Sequence, residues 1–400
     1  MALTEKLFEG NSFEELLHAA VELAPIIKSY RDEIEQERRL PLKLVAELKR
    51  AHVFRMTMPK DFGGLELDPI SQLRIIEVLS EANTSVGWCV MIGSDNGYFS
   101  SFLERNVARE MYKDVDSITG SALSQTGKAV KVDGGYRVSG RWPFASGCQH
   151  STWLIGGCKV YDGDALRLRP GGIPETRQCF LPTKAVTILD TWSTLGLRGS
   201  GSHDFTIQDY FVPEERTFSF QALNIYHPGA LYQFPMAFMF NFAAVPVGSA
   251  KAAIAAFVEA GEKPSRQVTM DGKFVPVRTL REEDFVQDAV GRASAKVSAA
   301  RAYLFSVVGD LWETIKAGQP FSLKQMADFQ SMNAQVFAMC LEAVELLFKA
   351  RGGSSVYTGS ILEGCLRDLL TMDQHVMNSL RSYGQSGRLL LGLPPEEILL

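Results

Sequence analysis

Apolar residues recur every three or four positions between residues 13 and 58, with Leu16, Leu17, Ala20, Leu23, Ile26 and Ile27 on one stripe and a second amphipathic run from about Pro41 to Ala51. That period is helical, and the two stripes predict two helices. Prolines at 59 and 69 and the Gly63-Gly64 pair interrupt it, so 59–69 reads as a connecting loop. Two further helices follow, over about 70–81 and 85–103. The second holds Val86, Gly87, Trp88, Val90 and Ile92, which predicts a buried helix. From Ser117 the period falls to two. The segments SITGSAL, KAVKV, GYRVSGRWPFASG, TWLIGGCKV, RQCFLP, AVTILD and HDFTIQDYFVP predict about seven short strands in a small barrel or sandwich. Beyond Pro213 the helical period returns. Val286, Val290, Ala293, Val297, Ala300, Leu304, Val307 and Leu311 make one seam, and Met332, Val336, Met339, Ala343 and Leu346 make another that stops at Gly352-Gly353. Paired seams of this length fit an antiparallel helix bundle.

The chain therefore divides into a helical region over 1–117, a β-domain over 118–220 and a helical bundle over 221–400, an α+β arrangement. Its 400 residues exceed what one core usually supports, which agrees with such a division. A net charge of −5 without any basic run argues against a nucleic-acid partner. The first twenty residues are charged and amphipathic, unlike a signal peptide, and the most apolar window, Phe234 to Ala250, is broken by Asn241 and Pro246 and followed by Lys251. No membrane association is expected. The six cysteines are scattered with no CxxC pair and the six histidines show no ligand spacing, so a cytoplasmic protein with reduced thiols and no metal site is expected.

The chemistry-bearing stretches are few. Trp142-Pro-Phe-Ala-Ser-Gly147 places two large aromatic residues, Trp142 and Phe144, just before small ones that allow close backbone approach. It reads either as an aromatic core strand with a bulge or as a β-surface that holds a planar cofactor. Gly196-Leu-Arg-Gly-Ser-Gly-Ser-His-Asp-Phe205 offers Ser200 and Ser202 on flexible backbone, either as a plain turn or as donors to the polar edge of a heterocycle. No GxGxxG follows a strand, and Gly120 to Gly127 lacks P-loop spacing. His375 sits in RDLLTMDQHVMN, on a segment with helical apolar spacing, where it could donate a proton near neutral pH or be a satisfied core histidine.

In this order, WPFASG at 142–147, WSTLGLRGSGS at 192–202, DYFVP at 209–213, Gly352-Gly353 and Arg367-Asp368 with a downstream histidine, the motifs resemble the acyl-CoA dehydrogenase fold. Within it the chain is similar to the group D flavin-dependent monooxygenases, the oxygenase components of two-component systems. The likeness covers roughly residues 15–395. It implies an N-terminal helical domain, a middle β-barrel and a C-terminal four-helix bundle, assembled as a homotetramer with flavin between barrel and bundle. It implies reduced flavin, FMNH2 or FADH2, supplied by a separate NAD(P)H:flavin reductase, with O2 as cosubstrate and a small aromatic substrate.

Residue by residue, the resemblance implies that Ser146 contacts flavin N5 and that His375 hydrogen-bonds or protonates the distal oxygens of a C4a-hydroperoxide. It places Trp142 and Phe144 flanking the ring, Ser200 and Ser202 on its polar edge or ribityl chain, and Arg266, Gly352 and Gly353 on the phosphate side. Trp88, Asn96 and Ser121 would meet the substrate. In the larger dehydrogenase branch a glutamate lies a few residues past Arg-Asp; here His375 and Val376 stand in that region, so a thioester α-proton lacks its base. Asn96 stands about where phenol hydroxylases carry a histidine, and an amide can hydrogen-bond a substrate but not deprotonate it. Gly364 is near where relatives have an arginine. The alternatives are an acyl-CoA dehydrogenase or nitrogen oxygenase on the same fold, and a non-catalytic flavin-binding protein.

Overall fold

Ser12 opens the first helix by accepting a hydrogen bond from the Glu15 backbone N–H, which satisfies a donor that the helix itself leaves unpaired. The structure, a computed structural model, describes residues 12–270 and 273–394. Helices α1 (Phe13–Ser29), α2 (Arg31–Glu37) and α3 (Leu42–Arg50) lead to α4 (Pro69–Ala82), capped by Asp68, and α5 (Thr84–Gly93), capped by Asn83. Two short helices, α6 (Asn96–Ser100) and α7 (Arg105–Met111), complete the N-terminal part. The single helix expected over 85–103 is broken. Thr57 inserts its hydroxyl into the ladder, bonding to the Ser94 carbonyl and accepting from Gly97 N–H, so the backbone bonds are made by a side chain instead of the next turn.

The β-domain holds strands β1 (Thr119–Val132), β2 (Gly135–Ala145), β3 (Trp153–Asp162), β4 (Ala165–Leu166), β5 (Leu168–Arg169), β6 (Ile173–Pro174), β7 (Thr176–Pro182), β8 (Thr187–Leu189), β9 (His203–Pro213) and β10 (Thr217–Phe218). Its main sheet runs β10-β7-β3-β1-β2-β9-β8, with β4 beside β3, and is mixed because β1 and β3 pair in parallel. Among the described residues the two end strands are not paired with each other, so the sheet stays open. A bulge between Ala122 and Gly127 joins the expected SITGSAL and KAVKV strands into one.

After a 3-10 turn over Ala237–Asn241 the chain forms α8 (Ala244–Glu259), the hairpin β11 (Pro264–Met270) and β12 (Lys273–Thr279), then α9 (Asp284–Lys316), α10 (Leu323–Arg351), α11 (Ile361–Met372) and α12 (Arg381–Leu390). Both seams face inward as their spacing requires: Ala293, Ala300 and Leu304 of α9 and Met332, Val336 and Ala343 of α10 are inaccessible, while Val290, Met339 and Leu346 are half-buried. The hairpin corrects the expectation of helices alone, and Arg266, expected in a loop, lies in β11 opposite Arg278. The Arg266 side chain lies outside the described residues. Segments Ala237–Glu262 and Leu323–Val356 are long and apolar enough to cross a membrane, yet 67% and 50% of their apolar windows are buried within the protein. They are bundle helices here.

The N-terminal helices and the bundle share one hydrophobic core, while the sheet has its own. Across the first of these, Glu77 of α4 is buried, its two carboxylate oxygens share the Nε–H of Arg301 from α9, and Lys251 from α8 pairs with it as well. This fixes the orientation of the helical parts against which the sheet docks.

Candidate active site

The site forms where the three parts meet. Strand β2 slips register against β9 between Val138 and Gly140 and again between Trp142 and Ala145, and within the second slip Phe144 takes φ 63°. A left-handed conformation is costly for an aromatic residue and turns its side chain off the strand's alternation. Phe144 is consequently 69% exposed, with the Trp192 ring at 6.3 Å and nearly perpendicular to it. An aromatic face held open at the cost of backbone strain is the kind of surface a flat ring would cover.

Trp142 is turned the other way. Its ring is fully buried, stacked on Phe205 at 4.9 Å, with Nε1 donating to the Gly157 carbonyl at 2.7 Å. A Cβ at Gly127, Gly140 or Gly156 would run into the indole, so those glycines make room for it. The expectation that Trp142 flanks a cofactor is therefore corrected: no face of it is open, and Phe144 alone of the pair faces outward.

The small residues that follow are bonded in a chain. Trp88 Nε1, from α5, donates to Ser146 Oγ at 2.9 Å; Ser146 Oγ pairs with Ser202 Oγ at 2.7 Å; Ser202 Oγ pairs with Ser200 Oγ at 2.6 Å. All three serines are buried. Indole N–H can only donate, so it occupies a lone pair of Ser146. Three hydroxyl protons serve two mutual bonds, which leaves one proton over, on Ser146, Ser202 or Ser200 according to the direction of each bond. The 198–202 turn is braced from behind by Gly147 N–H donating to the Ser200 carbonyl at 2.8 Å and by the Cys89 and Cys148 thiols donating to the Ser200 and Gly201 carbonyls. Burial pushes both thiols up, that of Cys148 to about 12, so they stay protonated as donors.

His375 arrives from the bundle. It is not on a helix but in the extended turn after α11, capping a 3-10 turn over Val376–Asn378, with Nδ1 accepting from Met377 N–H at 3.3 Å. Its ring stacks on Phe242 at 5.0 Å and meets the edge of Trp88 at 5.5 Å. Burial alone pushes its pKa down to about 4. That favours the neutral imidazole, and because Nδ1 accepts from Met377 its proton belongs on Nε2, where it can donate a hydrogen bond. The half-buried ring lines a cleft of about 490 Å³ with Asn378 and Arg381.

The remaining candidates fall apart from this cluster. Asn96 is buried, with Nδ2 donating to the Ser117 carbonyl at 2.7 Å and Oδ1 unpartnered. Ser121 is half-buried on β1, next to Gly120, whose Cβ would approach the Ser146 carbonyl. Among the described residues no hydrogen bond joins either to the serine chain. Gly352 and Gly353 are exposed at the end of α10. Phe242 was not anticipated, since in the apolar run from Phe234 to Ala250 nothing distinguishes it from a core residue.

An open helical frame around a mixed sheet, with a hydroxyl chain, an outward aromatic residue and a neutral histidine at the junction, defines a flavin-type site. The comparisons agree. Residues 17–107 match the acyl-CoA dehydrogenase N-terminal domain and 240–380 the C-terminal domain. The oxygenase subunit HsaA of a flavin-dependent monooxygenase from Mycobacterium tuberculosis is 28% identical over 96% of this chain and 98% of its own. The indole-3-acetate monooxygenase of Pseudomonas putida is 26% identical over 97% and 95%. The solved structure of XiaF from Streptomyces sp., in complex with FADH2 and glycerol, superposes with TM-score 0.86 at 25% identity, over 97% of this chain and 98% of that one. The chain belongs to the acyl-CoA dehydrogenase superfamily, among its flavin-dependent monooxygenase oxygenase components.

Proposed function

We propose that this protein is the oxygenase component of a two-component monooxygenase that uses reduced flavin and O2 to hydroxylate a small aromatic or heteroaromatic compound. The observation that carries the reading is the Trp88–Ser146–Ser202–Ser200 chain standing beside the exposed Phe144 and facing His375 through Trp88. The residues fit a flavin: one aromatic face is open, one hydroxyl proton is unassigned, and His375 Nε2–H is available as a donor. When bound, reduced flavin would supply the activation of O2 and the oxygen atom to be transferred.

The chain's own residues then bind, orient and exclude water. Phe144 would cover the ring. Ser146, whose oxygen already accepts from Trp88, would meet the ring's nitrogen edge as a weak base, which disfavours removal of a proton there. Ser202 and Ser200 hold that hydroxyl in place. His375 would offer a neutral Nε2–H at the reacting side without importing charge, with Trp88 and Phe242 packed against its ring. A dehydrogenase reading needs a carboxylate base, and downstream of Arg367-Asp368, in the region where that branch carries a glutamate, this chain has His375 and Val376.

The reading includes a separate NAD(P)H:flavin reductase and a cytoplasmic homotetramer. Leu380 and Leu391, 81% and 79% exposed at the C-terminal end of the bundle, support burial against further copies. The test is to mix the protein anaerobically with photoreduced FMN or FAD, admit labelled O2, and look for one labelled oxygen in phenol, indole or polycyclic test compounds. Reoxidation as fast as that of free flavin, with no labelled product from any of them, would overturn the proposal.

A further inference from the structure

The Arg367-Asp368 pair and Thr371 have no part in the site as drawn so far, yet they grip its glycine loop. Thr371 Oγ1 accepts from Gly196 N–H at 2.8 Å and donates to the Arg367 carbonyl at 2.9 Å. Asp368 Oδ1 accepts from Leu197 N–H at 2.7 Å, and Arg367 Nη1 donates to the Leu195 carbonyl at 2.6 Å. Residues 367, 368 and 371 share one face of α11, as their spacing requires, so three consecutive loop residues are held by one helical surface.

The grip is close and directional. A Cβ at Gly196 would collide with the Arg367 carbonyl, and Leu197 is held at φ 48°, a conformation that a leucine keeps only under constraint. Leu197 caps the 3-10 turn Arg198–Ser200, so its orientation sets that of Ser200 and, one residue past Gly201, of Ser202. Four residues beyond Thr371 the same segment delivers His375, whose N–H bonds back to the Met372 carbonyl at the end of α11.

We infer that Asp368 and Thr371 are positioning residues: through α11 they lock the Ser200–Ser202 turn to His375, so that the hydroxyl chain and the histidine meet the flavin as one rigid unit. The inference rests on the functional reading above. Arg367 is itself tied to Glu363 and to Glu35 of α2, which makes it a brace for α11 and a poorer probe than the two residues beside it.

The test compares Thr371→Val, which keeps the shape and removes the acceptor, with Thr371→Ser, which keeps it, and with Asp368→Ala. Each is titrated anaerobically with photoreduced FMN and FAD by fluorescence, the spectrum of bound oxidised flavin is recorded, and amide exchange over 195–202 is followed without ligand. Loss of one such bond should weaken flavin binding about three- to tenfold in Thr371→Val and Asp368→Ala. It should also shift the bound-flavin spectrum and speed exchange at Gly196 and Leu197. Thr371→Ser should restore all three. Wild-type affinity and spectrum in both disrupting variants, or no rescue by serine, would overturn the inference. If Asp368→Ala does not fold, the threonine pair decides. Failure of the wild-type chain to bind either flavin would instead overturn the functional reading.

Discussion

Trp88 donates its indole N–H to Ser146 Oγ at 2.9 Å, and with that bond a helix of the N-terminal region decides what a serine of the β-sheet can offer a ligand. The same indole presents its edge to His375 and to Phe242. One side chain therefore touches both groups on which the proposed chemistry depends.

Trp88→Phe keeps an aromatic filler and removes the donor. Ser146 regains a lone pair, becomes the better base and loses its anchor. The expected outcome is hydrogen peroxide release raised about three- to tenfold at the expense of product, with melting temperature within a few degrees of wild type. Ser146→Ala should uncouple more strongly, about tenfold or more, because the group itself is gone. Peroxide and product measured together in one assay check both, and unchanged coupling in Ser146→Ala would remove that serine from the mechanism.

Phe144→Gly separates binding from folding. Glycine tolerates φ 63° and little buried surface is lost, so stability should hold or rise by about 0.5–1 kcal/mol. Flavin affinity should fall about three- to tenfold with loss of the stacking face. Thermal denaturation and flavin titration read the two effects separately. Trp142→Ala should do the reverse, costing about 3–5 kcal/mol of stability because it empties a packed core.

His375 should impose no rise or fall on the rate between about pH 6 and 8, since its folded pKa near 4 leaves it neutral throughout. Its pKa is lower folded than unfolded, so the unfolded chain binds the extra proton between about pH 4 and 6.5 and stability contributed by the neutral ring is lost as pH falls through that window. Asp368, pushed up to about 6 by burial, acts with the opposite sign over part of the same range. The comparison is therefore between wild type and His375→Gln. The variant's stability should fall less steeply with acidification, by up to about 1.4 kcal/mol per pH unit, in denaturant titrations from pH 6.5 to 4.5. Parallel curves would count against a neutral buried His375.

The order of helical and β segments was legible because the periods of 3.6 and 2 hold over whole elements and burial enforces them. The site was legible in part. Ser146, Ser200 and Ser202 lie 56 and 2 residues apart along the hydrogen-bonded chain, and only the order of motifs linked them beforehand. Trp142 was misplaced because a regular strand puts 142, 144 and 146 on one face, whereas the register slip before Ala145 sends Trp142 inward and Phe144 outward. A positive φ at a phenylalanine has no local sequence signal. The protonation of His375 depends on Trp88 and Phe242, both remote in sequence, and so could not be read from its neighbours. The β11–β12 hairpin was missed because a proline, Pro276, stands inside one of its strands.

The shared core of the N-terminal helices and the bundle has a consequence for how such a protein can change. Because α5 brings Trp88, β2 brings Ser146 and the turn after α11 brings His375, none of the three parts carries a working fragment of the site. Excision or exchange of one part would leave an unsealed apolar face and an unmatched polar group together. New substrate preferences are better sought in replacements that leave the junction alone than in recombination of segments.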